Sequence, residues 1–279
     1  MRVDLHIHSK YSDGILSMKD ITNALCLNGV RIFSLTDHDT IDGIEEAIFE
    51  AKKHSLEFIP GIEISTEFEN REVHILGYYI DHKNADFINH LKKFKENRYN
   101  RANRIIEKLE REGLVFKDIN LEKEVNHGVL GRPHIADILI EEGYVKTRRE
   151  AFVKYLSKGT IGYIPRKKVT VAQAVSIIKK AQGIPVLAHP GLSFLNTQLD
   201  EVIALGIEGI EVWHPDHNLT LIDYFYNYAQ RNNLIMTGGT DWHGDKNYKT
   251  LNYFKLPYEN ILRMKKMKRD NLDPVYQNC

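Results

Sequence analysis

The stretch Val-Asp-Leu-His-Ile-His, residues 3–8, has the apolar and β-branched residues of a short buried strand. Because residues two apart on a strand point to the same face, we predict that His6 and His8 lie together at its carboxyl end. Asp13 follows in the adjoining loop. Two imidazoles and a carboxylate in this arrangement predict a metal site, and the alternative is a pair of surface histidines beside a turn aspartate.

Further apolar runs of the same character follow along the chain, and helical patterns separate most of them. The predicted strands are Val3–Ile7, Arg31–Leu35, Glu57–Ile64, Glu72–Ile80, Ile184–Ala188, Gly206–Trp213 and Leu234–Thr240. Continuous apolar runs of this kind are typical of parallel strands that are covered on both faces. Strands that alternate with helices predict an α/β fold, with a parallel sheet or a barrel.

The helices are predicted from capping residues and from apolar periodicity. Four residues are expected to open helices: Ser17, Asp42, Thr170 and Thr220. The alternation of strands and helices breaks at residues 81–165, where a long polar-faced helix (residues 85–112) precedes shorter helical pieces. We therefore predict a barrel domain formed by residues 1–80 and 166–279, and an inserted helical subdomain at residues 81–165.

The bulk composition excludes several classes of protein. The 38 Lys and Arg residues balance 38 Asp and Glu residues, whereas a dedicated duplex-DNA module usually has a pI above roughly 9. Two cysteines, Cys26 and Cys279, make neither a disulfide framework nor a Cys-rich zinc site. The N-terminus lacks an apolar signal core, and no apolar run approaches the ~20 residues that span a bilayer. We expect a cytoplasmic protein with no duplex DNA, membrane or obligate protein partner.

Polar residues also end or interrupt the later apolar runs. Residues 36–40 read Thr-Asp-His-Asp-Thr after the second strand, and such a cluster is costly to bury without a cation or other partners. Glu63 lies inside the third run, where a carboxylate needs donors, a cation or a raised pKa. His74, in the fourth run, would on its own more often be a structural core histidine. For Asp39 and Asp42 we favour roles in a turn and in a helix cap.

Because the active site of a (β/α) barrel lies at the carboxyl ends of its strands, these polar residues predict one shared site. Six imidazoles and three carboxylates are the candidate metal ligands: His6, His8, Asp13, His38, Glu63, His74, His189, Asp241 and His243. A catalytic zinc uses about three protein ligands, so this set is too large for one ion and suits two or three. Nitrogen and oxygen donors without thiolate suit manganese, zinc or iron.

The motifs that carry these residues resemble, in order, those of the polymerase and histidinol phosphatase (PHP) family. They are HIHSKYSDG (6–14), SLTDHDT (34–40), PGIEIS (60–65), VHILGYYI (73–80), LAHPG (187–191) and GGTDWHG (238–244). The resemblance covers nearly the whole chain and implies a distorted (β/α)7 TIM-like barrel that holds two or three divalent metal ions. It also implies that the candidate ligands are the family's metal ligands.

Residues 131–136, Gly-Arg-Pro-His-Ile-Ala, resemble the insertion motif of a subgroup that contains nucleoside 3′,5′-bisphosphate phosphatases and 5′→3′ exoribonucleases. The expected substrate is therefore a small phosphorylated nucleotide or a short single-stranded RNA. A metal-bound hydroxide is expected to attack the phosphorus, since closely spaced divalent ions lower the pKa of bound water. The family's pattern would assign His6, His8, Glu63 and Asp241 to one ion, Asp13, His38 and His243 to a second, and His74 with His189 to a third, with Glu63 bridging.

Other residues are candidates for binding the substrate. The predicted phosphate contacts are Arg132, His134 and Lys158. The planar fork of Arg132 suits bidentate contact with a phosphate. A basic rim at residues 166–168 would add to these contacts, although charge runs are usually solvated. The candidates for a general acid are His134 and His217, and Asp39 is a candidate for an acid or for support of the metal ligands.

Two other functions use the same barrel. One is histidinol-phosphate phosphatase, and the other is a non-catalytic PHP domain that stabilises a protein partner. The Gly-Arg-Pro-His insertion favours the nucleotide subgroup over the first function. Non-catalytic domains often lose metal ligands, whereas the full candidate set is present here, and this favours an enzyme over the second.

Overall fold

The computed structural model describes residues 2–117, 119, 121, 130–165, 169–191, 194, 197–244 and 256–272. In these ranges the elements are β1 (Arg2–Asp4), α1 (Met18–Leu27), β2 (Val30–Leu35), α2 (Ile44–Lys53), β3 (Glu57–Phe68), β4 (Arg71–Tyr78), α3 (Ala85–Arg111), α4 (Arg132–Glu141), α5 (Arg148–Ala151) with a π-helical turn (Phe152–Leu156), α6 (Val171–Lys180), β5 (Ile184–Leu187), α7 (Thr197–Ile203), β6 (Gly209–Trp213), α8 (Leu219–Arg231), β7 (Ile235–Gly238) and α9 (Tyr258–Leu272). The fold is mixed α/β, with strand and helix positions close to those predicted.

The strands form one sheet in the order β1 to β7. The pairs β1–β2, β2–β3, β5–β6 and β6–β7 are parallel, as predicted. The prediction of parallel strands is wrong for β4, which is antiparallel to both β3 and β5. The physical reason is the connection between β3 and β4. Only Glu69 and Asn70 join the two strands, both with positive φ, and a two-residue turn can only reverse the chain into a hairpin.

The sheet curls around an apolar cluster. Buried side chains from β1 to β5 and from β7 meet in it: Val3, Leu5, Ile32, Ile59, Leu76, Val186 and Ile235. Beyond the ends of β1 and β7 the chain also bonds across the two edges, since Leu5 N–H donates to the Gly238 carbonyl and His8 N–H to the Trp242 carbonyl. Among the described residues the strand pairing runs from β1 to β7, with an isolated parallel bridge between Ile7 and Trp242 but no β7–β1 ladder. Full closure into a barrel therefore stays a prediction.

The structure shows where the four helices begin for which a first residue was predicted. Ser17 and Thr170 cap α1 and α6, because their hydroxyls accept from the backbone N–H groups of residues 20 and 173. Asp42 does not cap α2, which begins after Gly43; its carboxylate instead pairs with a lysine of α3. The prediction for Thr220 is also wrong, since α8 begins one residue earlier with Asn218 as its cap.

The insertion has an apolar core of its own. The second half of α3 packs against α4 and the π-helical turn through Ile105, Leu109, Ile135, Leu139 and Leu156. The first half of α3, with Phe87 and Leu91, packs instead into the core that covers the sheet. The helix is therefore shared between the two cores, and the division into two domains at residue 81 remains a prediction.

No helix in the described ranges is both long enough and apolar enough to cross a membrane.

Candidate metal centre

The candidate ligands lie at one edge of the sheet. His6 and His8 follow β1, His38 follows β2, His189 follows β5, and Asp241 and His243 follow β7. These are the carboxyl ends of parallel strands, which meet at the same edge. Glu63 lies within β3, which extends past β2 so that Glu63 pairs with the residues around His38.

His74 reaches the same edge for a different reason. It lies in the first half of β4, and β4 runs antiparallel to its neighbours. The amino-terminal half of β4 therefore lies beside the carboxyl ends of β3 and β5, and Ala188 N–H donates to the His74 carbonyl at 3.0 Å. His74 thus lies with the other polar residues, as predicted. It does so because β4 runs in the opposite direction from the one expected.

A first group of potential ligands contains His6, His8, Glu63 and Asp241. Nε2 of His6 lies 3.3 Å from Oε2 of Glu63 and 3.2 Å from Oδ1 of Asp241. Nε2 of His8 lies 3.2 Å and 2.9 Å from the same two oxygens. Four donor atoms can therefore face one ion, with the membership that the family resemblance implies.

A second group contains His8, Asp13, His38 and His243. Oδ1 of Asp13 lies 3.2 Å from Nε2 of His243 and 3.8 Å from Nδ1 of His8, and Oδ2 lies 3.8 Å from Nε2 of His38. The presence of His8 here was not predicted. Its two ring nitrogens face different groups, so His8 stands between them.

The third group contains His38, Glu63 and His74, with His189 beside it. Oε1 of Glu63 lies 2.9 Å from Nδ1 of His74 and 3.1 Å from Nε2 of His189, while Oε2 lies 3.1 Å from Nδ1 of His38. The two oxygens of Glu63 thus face different sets of imidazoles. This geometry suits a bridging carboxylate. The structure also places His38 in this third group, whereas the family's pattern assigned it only to the second.

Buried polar atoms in proteins nearly always have a hydrogen-bond partner, so exceptions need a physical reason. Many atoms of these groups are buried without one: Nε2 of His6, both ring nitrogens of His8, Oδ1 of Asp13, Nδ1 of His38, Oε2 of Glu63 and both ring nitrogens of His74. Imidazole nitrogen and carboxylate oxygen are the usual ligands of manganese, zinc and iron. The side chains present therefore fit divalent metal ions.

The pKa values of the buried carboxylates and imidazoles also favour the binding of cations. Burial alone would raise the pKa of Glu63 and of Asp241, because a buried charge loses its hydration. Neighbouring imidazoles outweigh burial and hold both pKa values well below the ordinary range, His38 acting most strongly on Glu63 and His6 on Asp241. Burial lowers the pKa of His8, but the same two carboxylates raise it to about 10. The two carboxylates therefore stay ionised and attract positive charge, whether from an imidazolium or from a cation.

Two buried carboxylates that sequence reasoning left out hold the ligands in place. Both oxygens of Glu211 lie close to Nδ1 of His6, at 3.0 Å and 3.2 Å, and one accepts from the His189 N–H. This contact places a proton on Nδ1 of His6 and leaves Nε2 free to face the cluster. Asp37 accepts from the backbone and hydroxyl of Ser9 and from the hydroxyl of Ser12, which fixes the loop after β1.

Glu211 could have been found by the signal that singled out Glu63, since it is one acidic residue inside an apolar strand. His214 was also left out. Its Nε2 lies 3.5 Å from Oδ2 of Asp241, and its Nδ1 accepts from the Asp216 N–H. It is therefore in contact with the first group of ligands, in the run that follows β6.

His217 and Asp39, the candidates for an acid or for support of the metal ligands, make different contacts. Nδ1 of His217 donates to the Val212 carbonyl, and Nε2 accepts from the Gly191 N–H, so His217 holds the loop that carries His189. Asp39 is buried, with a φ of 54°, which agrees with the turn role favoured for it. Its carboxylate accepts from Arg98 and from the Ser65 N–H.

A cavity of about 390 Å³ adjoins the cluster between the β3–β4 hairpin and the insertion. Arg101, Arg132 and Lys158 are the basic side chains among its lining residues. Glu72 connects the cavity to the cluster, because its two oxygens lie 3.5 Å from Arg132 and 3.5 Å from Nε2 of His74. The predicted rim at residues 166–168 lies outside the described residues.

His134 stands at the start of α4, next to Arg132. Its Nδ1 accepts from the Gly131 N–H at 3.0 Å, so a neutral His134 carries its proton on Nε2. Burial lowers the pKa of His134. A neutral imidazole with a fixed tautomer can donate one hydrogen bond from Nε2.

Comparison with known proteins agrees with this site. The family model of the PHP domain matches residues 4–166. The chain is 33% identical to a 3′,5′-nucleoside bisphosphate phosphatase of Chromobacterium violaceum over 247 residues, which are 86% of this chain and 87% of that protein. It is 36% identical to a 5′-3′ exoribonuclease of Haemophilus influenzae over 189 residues, 68% of this chain and 69% of that one. A solved structure from Bifidobacterium adolescentis, described as a metal-dependent phosphoesterase, aligns with a TM-score of 0.83 and 28% identity over 95% of this chain and 96% of its own.

Proposed function

This chain belongs to the PHP family and is a metal-dependent phosphoesterase, and on that premise we propose that it hydrolyses nucleoside 3′,5′-bisphosphates. The observation that carries the proposal is the convergence of buried, unpartnered imidazole and carboxylate atoms beside a basic cavity. The relative that is a nucleoside bisphosphate phosphatase supports the choice of substrate and aligns with most of this chain.

We propose that the candidate ligands hold two or three divalent ions: His6, His8, Asp13, His38, Glu63, His74, His189, Asp241 and His243. Manganese, zinc and iron each suit this donor set. Bound ions of this kind lower the pKa of a water and neutralise charge on phosphate oxygens. Within the chain, Glu63 and Asp241 remain ionised, and Glu211 keeps the proton of His6 on the nitrogen that faces away from the cluster.

The cavity supports a substrate with two phosphates. One phosphate at the ligand cluster would leave the rest of a mononucleotide to fill a cavity whose volume lies within the range of small-molecule sites. Arg132 and Lys158 would then bind the second phosphate, with the guanidinium acting as a bidentate clamp. His134 would donate from Nε2 to a phosphate or leaving-group oxygen.

The test is an assay of the manganese-loaded protein on four substrates. They are a nucleoside 3′,5′-bisphosphate, the corresponding 5′-monophosphate, a 5′-phosphorylated short RNA and histidinol phosphate. We expect the highest kcat/KM on the bisphosphate and loss of turnover by at least about a hundredfold in Glu63→Gln. The variant lacks the carboxylate proposed to hold the ions, and electrostatic stabilisation at a reacting group contributes on that order. Preference for histidinol phosphate, or no hydrolysis of any phosphoester, would contradict the proposal; the latter outcome would favour a non-catalytic PHP domain.

A second candidate activity is removal of nucleotides from the 5′ ends of short RNA. It is supported by the relative that is a 5′-3′ exoribonuclease. The two activities share the metal cluster and differ in what occupies the basic cavity. A kcat/KM on the 5′-phosphorylated RNA above that on the bisphosphate would decide for this candidate.

A further inference from the structure

Arg98 of α3 forms hydrogen bonds with both Asp39 and Ser65. Its Nε donates to Oδ2 of Asp39 at 2.7 Å, a second guanidinium nitrogen donates to the same oxygen, and that nitrogen also reaches Oγ of Ser65 at 3.1 Å. The side chain of Asp39 is fully buried and that of Arg98 is 16% exposed. Charged hydrogen bonds that are shielded from water in this way are stronger than surface ion pairs.

Asp39 connects this ion pair to the ligand cluster. It follows His38 directly, and its own N–H donates to the Glu63 carbonyl at 2.9 Å. Its other carboxylate oxygen accepts from the Ser65 N–H at 3.0 Å, two residues after Glu63. The loop after β2 and the middle of β3 are thus joined at the point where His38 and Glu63 approach each other within 3.1 Å.

Arg98 also lies near the start of α4. A Cβ added at Gly131 would stand 3.5 Å from a guanidinium nitrogen of Arg98. Gly131 is the N-cap of α4, the helix whose first turn contains Arg132 and the half-buried His134. One guanidinium therefore donates hydrogen bonds to the loop that presents His38 and lies near the start of the helix that presents the residues proposed to bind phosphate.

We propose that Arg98 is a positioning residue that couples the loop carrying His38 to the substrate-binding end of α4. It would fix His38 and Glu63 through its hydrogen bonds to Asp39, and restrain the start of α4 through its position beside Gly131. The inference rests on the proposed metal and phosphate sites. Loss of the guanidinium should loosen both, so metal affinity and substrate KM should change together.

The matched control is Lys95, which lies one turn earlier on the same face of α3. Its Nζ pairs with Oδ2 of Asp42 at 3.3 Å, and both side chains are about half exposed. Arg98→Met and Lys95→Met each remove one positive charge from the same helix face at the same loop. Arg98→Met also removes two hydrogen bonds to the buried Asp39 carboxylate.

The experiment measures the Mn²⁺ dissociation constant of the metal-free protein, from the electron paramagnetic resonance signal of free Mn²⁺, together with kcat and KM on a nucleoside 3′,5′-bisphosphate. We expect Arg98→Met to weaken Mn²⁺ binding and to raise KM, each by about tenfold or more, as for other residues that support metal ligands. Lys95→Met should stay within about twofold of the wild type. Equal Mn²⁺ affinity and KM in the two variants would overturn the proposal.

Arg98→Met leaves the Asp39 carboxylate buried without the guanidinium that balances its charge, so this variant could fail to fold. Two further variants decide the question in that case. Arg98→Lys keeps the charge but lacks the fork, and Asp39→Asn with Arg98→Met removes both charges. Positioning by the fork predicts weakened Mn²⁺ binding in both, with a folded far-UV circular dichroism spectrum. Wild-type Mn²⁺ affinity and KM in either folded variant would show that Arg98 only neutralises Asp39, and would overturn the proposal.

An error in the proposed function would give a different experimental result from an error in the role of Arg98. If the wild type binds Mn²⁺ but hydrolyses no phosphoester, the proposed substrate is wrong, while the difference in Mn²⁺ affinity between Arg98→Met and Lys95→Met still decides the role of Arg98.

Discussion

One oxygen of Glu63 faces His74 and His189, and the other faces the imidazoles that follow β1 and β2. Such an arrangement is unfavourable in an empty site, because the carboxylate is buried and Oε2 has no hydrogen-bond partner. At the scale of single residues, the site is thus suited to bind cations, whose positive charge the ionised carboxylates attract. The residues around it, Glu211 foremost, determine which atoms of the imidazoles are available to meet that charge.

Glu211→Gln tests this role. An amide has one acceptor oxygen and one donor nitrogen, so it holds the Nδ1 proton of His6 less firmly and no longer supplies a negative charge beside it. We expect kcat/KM, or Mn²⁺ affinity, to fall by about ten- to a hundredfold. Glu208→Gln is the control, since Glu208 pairs with Lys179 away from the cluster. A Glu211 variant that behaved like the Glu208 variant would show that Glu211 does not orient His6.

Arg132→Ala tests the phosphate clamp. Loss of a charged hydrogen bond worth roughly 1.5–3 kcal/mol should raise KM for a bisphosphate by about ten- to a hundredfold. The effect on kcat should be smaller, because Arg132 lies in the cavity rather than in the ligand cluster. Arg111→Ala, which removes an exposed arginine of α3, should leave KM unchanged. An unchanged KM in Arg132→Ala would rule out the clamp.

At the scale of elements, the β3–β4 hairpin does the most to shape the site. It reverses β4, brings the first half of that strand to the ligand edge and forms one wall of the basic cavity. The helices show the same dependence on local detail. α8 begins where the Asn218 side chain accepts from the Leu221 N–H, and Thr220 lies one residue inside the helix, exposed.

The two capping residues make a paired stability test. Asn218→Ala should lower the free energy of unfolding by about 1 kcal/mol, because an N–H of the first turn loses its acceptor. Thr220→Ala should change it by less than about 0.5 kcal/mol, as for other exposed positions. Thermal or urea unfolding of the two variants measures the difference. A larger loss in Thr220→Ala than in Asn218→Ala would mean that α8 begins where the sequence predicted.

At the scale of the whole molecule, the ligand cluster joins distant parts of the chain. His6 and Asp241, which are 3.2 Å apart at the cluster, lie near opposite ends of the described residues. Metal ions bound there would hold together β1, the strands in the middle of the chain and the segment after β7. Metal binding and global stability should therefore be linked.

Metal removal tests this linkage. At a Mn²⁺ concentration about a hundred times the dissociation constant, binding to the folded state should stabilise it by about 2.7 kcal/mol, or raise Tm by roughly 5–10 °C. Treatment with a chelator should lower Tm by that amount, and Mn²⁺ should restore it. Glu63→Gln should respond less, since it lacks the central carboxylate. A Tm that is the same with and without Mn²⁺ would show that these side chains do not hold metal in the folded protein.

The sequence indicated much of this architecture because its signals are local. Seven apolar runs became seven strands, and the helix caps at Ser17 and Thr170 were predicted correctly. A carboxylate inside an apolar run, such as Glu63, will be buried in any fold of the chain, so it must have donors or a cation beside it. The same rule was not applied to Glu211, although the evidence in the sequence was equal.

By itself, the sequence determined which side chains would be too costly to bury without a cation, and thereby the nine residues that the structure brings together. It could not determine how they group. The double position of His8 and the reversal of β4 follow from strand register and from a two-residue turn. The hydrogen bond between Glu211 and His6 joins residues 205 positions apart in the chain, and the one between Arg98 and Asp39 joins residues 59 positions apart. Such contacts are set only when the sheet curls and the insertion packs against it, because no local pattern records which distant side chains will meet.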